Sequence, residues 1–367
     1  MVKPYYRIVP ESMTGMIASP HASICYHQTN HSSSCLILSP LLYQIGIWNT
    51  REQSLIQTIL PQDESYYGGS IHEGTMKYSN ITCLVHSEPF IAAGYQNGKI
   101  LIYNLQTKQQ VLYATGHSSS VTCLQFNKDG SLLMSGGDDT DIVCWDVTAG
   151  QAKYRLRGHK GRITGLLFLE KSNALISSSK DMLIKIWELT TCHCVQTLIG
   201  SRNEIWSICV DFNETRLFAG STDSEIRVWN IQVFQNKNSQ YFYENDPIFM
   251  GTLKRRDESR VLQMKFDPSG TLLGIIGADS KILEIFKLRS EKERKKTGTP
   301  LTPNMEYKWW LQVKSNYELR SFDFSPHDKC YPRFDFFTES LNEQQQQDLT
   351  ESLNEQQGLT ESLNEHE

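Results

Sequence analysis

Trp145, Trp187 and Trp229 stand at two equal steps of 42 residues. Asp139, Asp181 and Asp223 keep the same step, each six positions before its tryptophan. Gly116-His117 and Gly158-His159 keep it too, and in the third copy the pair becomes Gly200-Ser201. A period this constant means that one supersecondary unit repeats. Each such unit buries its apolar face only against its neighbours, so the chain folds as a stacked array.

The unit itself reads as four short strands. Val121-Thr122-Cys123-Leu124-Gln125-Phe126 alternates apolar or branched residues with others, and Asn127-Lys128-Asp129-Gly130 then turns the chain. Leu132 to Ser135 forms the next strand, Gly136-Gly137-Asp138-Asp139 the next turn, and Ile142 to Trp145 and Tyr154 to Leu156 the last two strands. Period-two alternation bounded by Gly and Asp clusters marks half-buried strands. Strands this short, with no amphipathic helix between them, predict an all-β radial design. With Gly-His at one end and Trp-Asp at the other, the repeat carries the signature of the WD40 β-propeller.

The recurring polar residues have a structural explanation. His117, Ser135, Asp139 and Trp145 can form a buried hydrogen-bonded chain in one repeat, and His159, Ser177, Asp181 and Trp187 in the next. A buried network must be fully satisfied, because each orphaned group costs about 1–3 kcal/mol. Asp223 and Trp229 continue the pattern, but Ser201 replaces the histidine and Ala219 the serine, so a truncated network is expected there. The His/Asp pairs resemble a catalytic dyad; their repetition at a structural period favours the packing role.

Third-strand anchors fall at Trp48, Tyr103, Trp145, Trp187, Trp229 and Phe286, and first strands begin at Ile81, Val121, Ile163, Ile205, Val261 and Leu319. Thr14 to Ala18 and Ser23 to Tyr26 read as strands ahead of the first full repeat. A seven-bladed ring is therefore expected over residues 1–330, its last blade built from both chain ends, which would remove open sheet edges. Six or eight blades are the alternatives. Insertions fall between Asn49 and Ile81, from about Gln232 to Asp257, and from Lys287 to Asn316.

The formal charge of −5 conceals a polar split. Residues 334–367 hold nine acids and no Lys or Arg, and removing them leaves +4 on residues 1–333. The segment 331–367 repeats Thr-Glu-Ser-Leu-Asn-Glu from Thr338, Thr350 and Thr360, padded with Gln. Its sparse leucines cannot bury a core, so a disordered acidic tail is expected. No run approaches 18 apolar residues, and the start lacks the apolar core of a secretion signal, so no membrane association is expected. Nine cysteines, an odd number, predict reduced thiols. Cys192-His193-Cys194 lacks a second pair at ligand spacing, so no metal or other cofactor is expected.

The strongest basic run is Lys287 to Lys296. Within it Lys292, Arg294, Lys295 and Lys296 are candidate contacts to a phosphate backbone, whose affinity would fall steeply with salt. Arg162, Arg202 and Arg260, near the starts of first strands, are a second candidate cluster, of the kind that holds acidic or phosphorylated peptides. No nucleophile–base or carboxylate pair lies outside the repeat positions, so neither an enzyme nor a small-molecule substrate is expected.

Particular segments resemble one eukaryotic family. Asp139 to Val147, Tyr154 to Lys160 and Ile163-Thr164 look like its third blade. Lys180-Asp181, Cys192-His193-Cys194, Glu204-Ile205-Trp206 and Thr222 to Trp229 are similar to its next two blades, and Gly277 to Phe286 precedes a lysine-rich insertion, as in that family. The family is the WD-repeat subunit of the UTP-B subcomplex of the small-subunit processome, and the resemblance spans roughly Cys83 to Phe324. It implies a non-catalytic scaffold in the nucleus and nucleolus. The implied partners are other processome subunits, small-subunit pre-rRNA and small nucleolar RNA, in the maturation of 18S rRNA. The family carries two consecutive propellers and a helical domain, and the match is to the first propeller. A different WD40 adaptor, such as a substrate-recognition subunit of a ubiquitin ligase, is the alternative.

Overall fold

The structure is a computed structural model that describes residues 23–28, 35–49, 52, 54–60, 79–107, 109–199, 202–231, 247–289, 303, 307–315, 319–324 and, for the backbone, 334–338. Six four-stranded antiparallel sheets and one two-stranded sheet follow one another along the chain. Within each of them the strands lie side by side in chain order. Blade 3 is representative, with strands Val121–Phe126, Leu132–Gly137, Ile142–Asp146 and Gln151–Leu156. The predicted turn Asn127 to Gly130 is closed by the Gly130 amide on the Asn127 carbonyl at 3.1 Å.

The innermost strands of blades 1 to 7 are Cys25–Gln28, Ile81–Ser87, Val121–Phe126, Ile163–Leu169, Ile205–Val210, Val261–Phe266 and Leu319–Phe324. Each touches the next in order, and the seventh touches the first, so the sheets close into a ring. Two polar side chains clasp the closure. Ser321 Oγ accepts from the Ile24 amide at 3.3 Å, and Asp323 accepts from the Tyr26 amide at 3.3 Å. Asp323 also pairs with Lys265 of blade 6 at 3.2 Å. One carboxylate thus ties three blades together.

Of the strands expected ahead of the first full repeat, Cys25–Gln28 pairs with Cys35–Leu41 as the innermost strand of blade 1. The Ile24 and Tyr26 amides meet side chains of blade 7. Among the described residues, blade 7 pairs Leu319–Phe324 with Phe334–Thr338. That second strand lies beyond position 330, inside the segment the sequence reading gave to the tail. The expected strand Thr14 to Ala18 lies outside the described residues, as do most of the three insertions.

The core sits between blades, as expected for sheets that cannot bury a face alone. Cys83, Ala92, Ile100, Ile102 and Leu112 of blade 2 pack on Val121, Leu124, Phe126, Leu133 and Trp145 of blade 3. The same relation recurs one step on, where Trp187 packs with Met134, Cys144 and Leu156, and again where Trp229 packs with Ile176, Ile184 and Leu198. Each anchor ring therefore wedges into the blade before it. Full burial of such a side chain contributes about 1.5–3 kcal/mol.

Candidate functional site

In blade 3 the indole Nε1–H of Trp145 donates to Ser135 Oγ at 2.8 Å, and Ser135 Oγ lies 2.7 Å from His117 Nε2. His117 Nδ1 lies 3.0 Å from Asp139, whose carboxylate also accepts the Ser118 amide at 2.9 Å. Blade 4 repeats the chain through Trp187, Ser177, His159 and Asp181, each side-chain link being 2.8 Å. The bond pattern assigns the tautomer. The serine oxygen takes the indole proton and gives its own to Nε2, so Nδ1 carries the hydrogen donated to the aspartate.

In blade 4 electrostatics agree with a neutral His159 held by a charged carboxylate. Burial pulls the His159 pKa below its ordinary value, against the attraction of Asp181. For Asp139 and Asp181 burial opposes ionisation, yet the hydrogen bonds from histidine and backbone amides hold both carboxyls below the usual range. Both serines are fully buried and both histidines nearly so. Ser135 and Ser177 spend their hydroxyls inside the sheet, where no substrate reaches.

Two glycines make room for this arrangement. A Cβ on Gly116 would stand 2.7 Å from the tip of Trp145, so the Gly of Gly-His is the floor on which the indole rests. A Cβ on Gly137 would stand 2.4 Å from Asp139 Oδ1 and 2.7 Å from His117 Nδ1. In blade 4 that second position is Ser179, whose hydroxyl accepts the Asp181 amide at 3.2 Å and so joins the network.

Other blades solve the same problem with other residues. In blade 5 Asn203 donates to Asp223 at 2.5 Å, standing in for the lost histidine, while Trp229 stacks edge-on against Phe249. In blade 1 Trp48 donates to Ser39 at 2.9 Å. Blade 6 uses ions. The fully buried Arg255 places Nε 3.3 Å from Glu284, and Glu284 also accepts the Arg256 amide at 2.9 Å. Arg255 Nη1 donates to the Ser259 carbonyl at 2.6 Å, and Nη2 lies 3.5 Å from Asp257. Sequence reasoning missed Arg255 and Glu284, since charged residues 29 positions apart carry no repeat signature.

The network turns and the loops entering the innermost strands lie on one face of the ring, called here the upper face. Each innermost strand of blades 2 to 6 enters it through a β-bulge at its second residue, and blade 7 does so at Arg320. Bulges re-aim a side chain out of the ladder. Thr82 and Thr122 at this position bond backbone carbonyls of the next blade, and Thr164 bonds Ser178. In blade 5 the bulge residue is Trp206. Lys180 Nζ lies 4.1 Å above its ring and Arg260 Cζ 4.2 Å, one supplied from the blade on either side. Its indole nitrogen has no acceptor among the described residues.

The cationic candidates are therefore not one cluster. Arg260 joins Trp206, whereas Arg162 pairs with Asp138 at 3.2 Å and Arg202 is exposed. Lys292, Arg294, Lys295 and Lys296 lie outside the described residues. Cys194 is exposed near the start of the outer strand of blade 4, His193–Ile199. Burial pushes the thiols of Cys25 and Cys123 up to about 12, and those of Cys83, Cys144 and Cys209 also upward, so these sulfurs stay protonated and unreactive. No helix among the described residues is long and apolar enough to cross a membrane.

A closed ring of antiparallel blades, pinned by His, Ser, Asp and Trp at a constant period, defines a WD40 β-propeller. Residues 35–231 match the family model described as "WDR3 first beta-propeller domain", and the chain belongs to that family. It is 29% identical over 141 residues to "U3 small nucleolar RNA-associated protein 12" of Saccharomyces cerevisiae, covering 37% of this chain and 15% of that protein. It is 40% identical over 60 residues to "Transcription factor unc-37" of Caenorhabditis elegans, covering 16% of this chain and 10% of that one. The chain thus spans well under a fifth of the length of these relatives. A solved chain from "Crystal Structure of Mitotic Checkpoint Complex" superposes with a TM-score of 0.67 at 16% identity, covering 93% of this chain and 98% of that one; it speaks for the fold alone.

Proposed function

We propose that this chain is a non-catalytic scaffold in ribosome biogenesis. In this reading it works in the nucleolus, within a complex that holds small-subunit pre-rRNA and a small nucleolar ribonucleoprotein while 18S rRNA matures. The observation that carries the reading is the family match over residues 35–231. A yeast relative whose name ties it to the U3 small nucleolar RNA supports the same direction. The polar chains support a holding role, since their serines and histidines are consumed in packing.

Binding to RNA in this reading is spread over blade faces and the basic run, with Lys292, Arg294, Lys295 and Lys296 contacting phosphates. Each phosphate neutralised steepens the salt dependence of affinity by about 0.9 in logarithmic slope for duplexes and about 0.7 for single strands. Changing those four residues to Ala is expected to flatten the slope by roughly 3. Crosslinking in cells followed by sequencing of bound RNA is expected to return 5′ external spacer and small-subunit pre-rRNA. Recovery of a ubiquitin-ligase subunit without such RNA would replace this reading with the adaptor one.

A further inference from the structure

The cation–aromatic cluster at Trp206 and Thr338, after which the acidic repeats follow in the sequence, lie on one face of the ring. Thr338, the last residue of the outer blade 7 strand, pairs with Leu319, where the innermost strand leaves the upper face. Thr338 therefore stands at the upper face, in the blade of Arg320 and two blades from Trp206. We propose that the acidic segment 339–367 docks in cis on the upper face, over Lys180, Trp206 and Arg260.

Three observations carry the docking. First, Arg260 is exposed and has no acidic partner among the described residues, while Lys180 faces Glu204 at 3.7 Å. One of the two cations at the ring thus has no counter-charge there, which leaves a carboxylate site open. Second, residues 339–367 hold eight acids and no Lys or Arg, whereas the body carries the positive excess. Third, the repeat has the right grammar. Glu339, Leu341 and Glu343 stand at i, i+2 and i+4, as do Glu351, Leu353 and Glu355, and Glu361, Leu363 and Glu365. In an extended chain such residues share one side. Acid, apolar and acid then face cation, indole and cation.

Reach and multiplicity favour the same outcome. Twenty-nine residues extend to roughly 95 Å at about 3.3 Å each, ample to cross two blades. Three copies of one motif on a tether raise the local concentration of ligand without new contacts. The docked segment would cover the cations against other anions, and a free nucleic acid would have to displace it.

The test uses the full chain at dilute concentration with a zero-length carbodiimide, which joins an amine to a carboxylate in direct contact, read by mass spectrometry of the monomer. The expected result is crosslinks from Lys180 to Glu339, Glu343 and their repeat counterparts. They should fall several-fold at about 1 M salt, where screening acts over about 3 Å. They should also fall several-fold in Arg260→Glu, with the fold checked by circular dichroism. Lys128 and Lys171, in turns on the opposite face, are expected to give none above background. Equal crosslinking of Lys128, Lys171 and Lys180 to the acidic segment overturns the proposal, as does its confinement to dimers. Photocrosslinking of RNA at Trp206 with no Lys180–carboxylate link would make the surface an RNA site instead. Neither result bears on which RNA the complex recovers in cells.

Discussion

Ser177 Oγ stands 2.8 Å from both His159 Nε2 and Trp187 Nε1, and so satisfies an imidazole and an indole with one hydroxyl. Ser177→Ala removes the acceptor of a buried N–H and the donor to a buried ring nitrogen at once. With each orphaned group costing about 1–3 kcal/mol, a loss of roughly 2–4 kcal/mol is expected. The midpoint of urea denaturation measures it. A shift no larger than that of an exposed Ser→Ala control, for instance at Ser118, would show that the hydroxyl is not shared.

Asp181→Asn tests the other end of the same chain. The aspartate accepts from His159 Nδ1, from the Lys160 amide at 2.9 Å and from the Leu183 amide at 3.0 Å. Asparagine keeps the size but loses the charge, and it turns an –NH2 toward one of these donors. A loss of about 1–3 kcal/mol is expected, because hydrogen bonds to a charged acceptor are the stronger kind. Its sign with pH is also set. The Asp181 pKa is lowered on folding, so its contribution is complete above the unfolded value near 4 and fades as the pH falls through the folded one. Wild type and Asp181→Asn should therefore converge in stability as acid is added. Parallel curves down to pH 3 would contradict the charge-based account.

The regular middle of this ring was open to reading from residue spacing alone, and its margins were not. Val121–Phe126 is a strand with the bounds its alternation predicts, and the Trp, Asp and Gly-His steps point to the residues that hydrogen-bond in blades 3 and 4. Where the signature fades, the physics continues with different residues. Asn203 reaches Asp223 from two positions beyond Ser201, a substitution no period detects. The repeat that contains Cys25–Gln28 lacks the Gly-His and Asp markers, so spacing alone does not fix which blade that strand joins. Spacing alone gives Trp206 no special place in the strand Ile205–Val210. Only the bulge at that position, which is a property of pairing rather than of period, turns it onto the upper face.

Arg255 and Glu284 replace the His, Ser and Trp chain of blade 6 with a buried ion pair, and the two kinds of pin should respond differently to substitution. Arg255→Ala leaves Glu284 buried without its counter-charge, with an expected cost of about 3–5 kcal/mol. Replacing both partners with apolar residues of similar volume, Arg255→Met with Glu284→Leu, is expected to recover most of that loss, since the desolvation of both ions is then avoided. Thermal denaturation of the three proteins decides the matter. A double variant as unstable as Arg255→Ala would mean that the loop from Arg255 to Arg260 needs the carboxylate for its backbone contacts, made through the Arg256 and Asp257 amides.

His27 and His86 join blades 1 and 2 through Nδ1 and Nε2 at 2.9 Å, and they give the ring an acid sensitivity distinct from that of its aspartates. Burial pulls His86 down to about 4, and the neighbouring His27 adds to the shift. Burial also lowers His27, against the pull of Glu88. In the unfolded chain an imidazole takes its proton near pH 6.5. Between that value and about 4 the unfolded state therefore binds more protons, and stability falls as the pH falls. At about 1.4 kcal/mol per unit, His86 alone accounts for roughly 3 kcal/mol across the window, and the lowered His159 adds in the same direction. His86→Asn retains a hydrogen-bonding side chain without the titration. It should flatten the dependence of the denaturation midpoint between pH 7.5 and 5 while leaving the slope below pH 4, which belongs to the carboxylates, in place. A variant that loses as much stability as wild type over pH 7.5 to 5 would move the acid response to His159 or to another group.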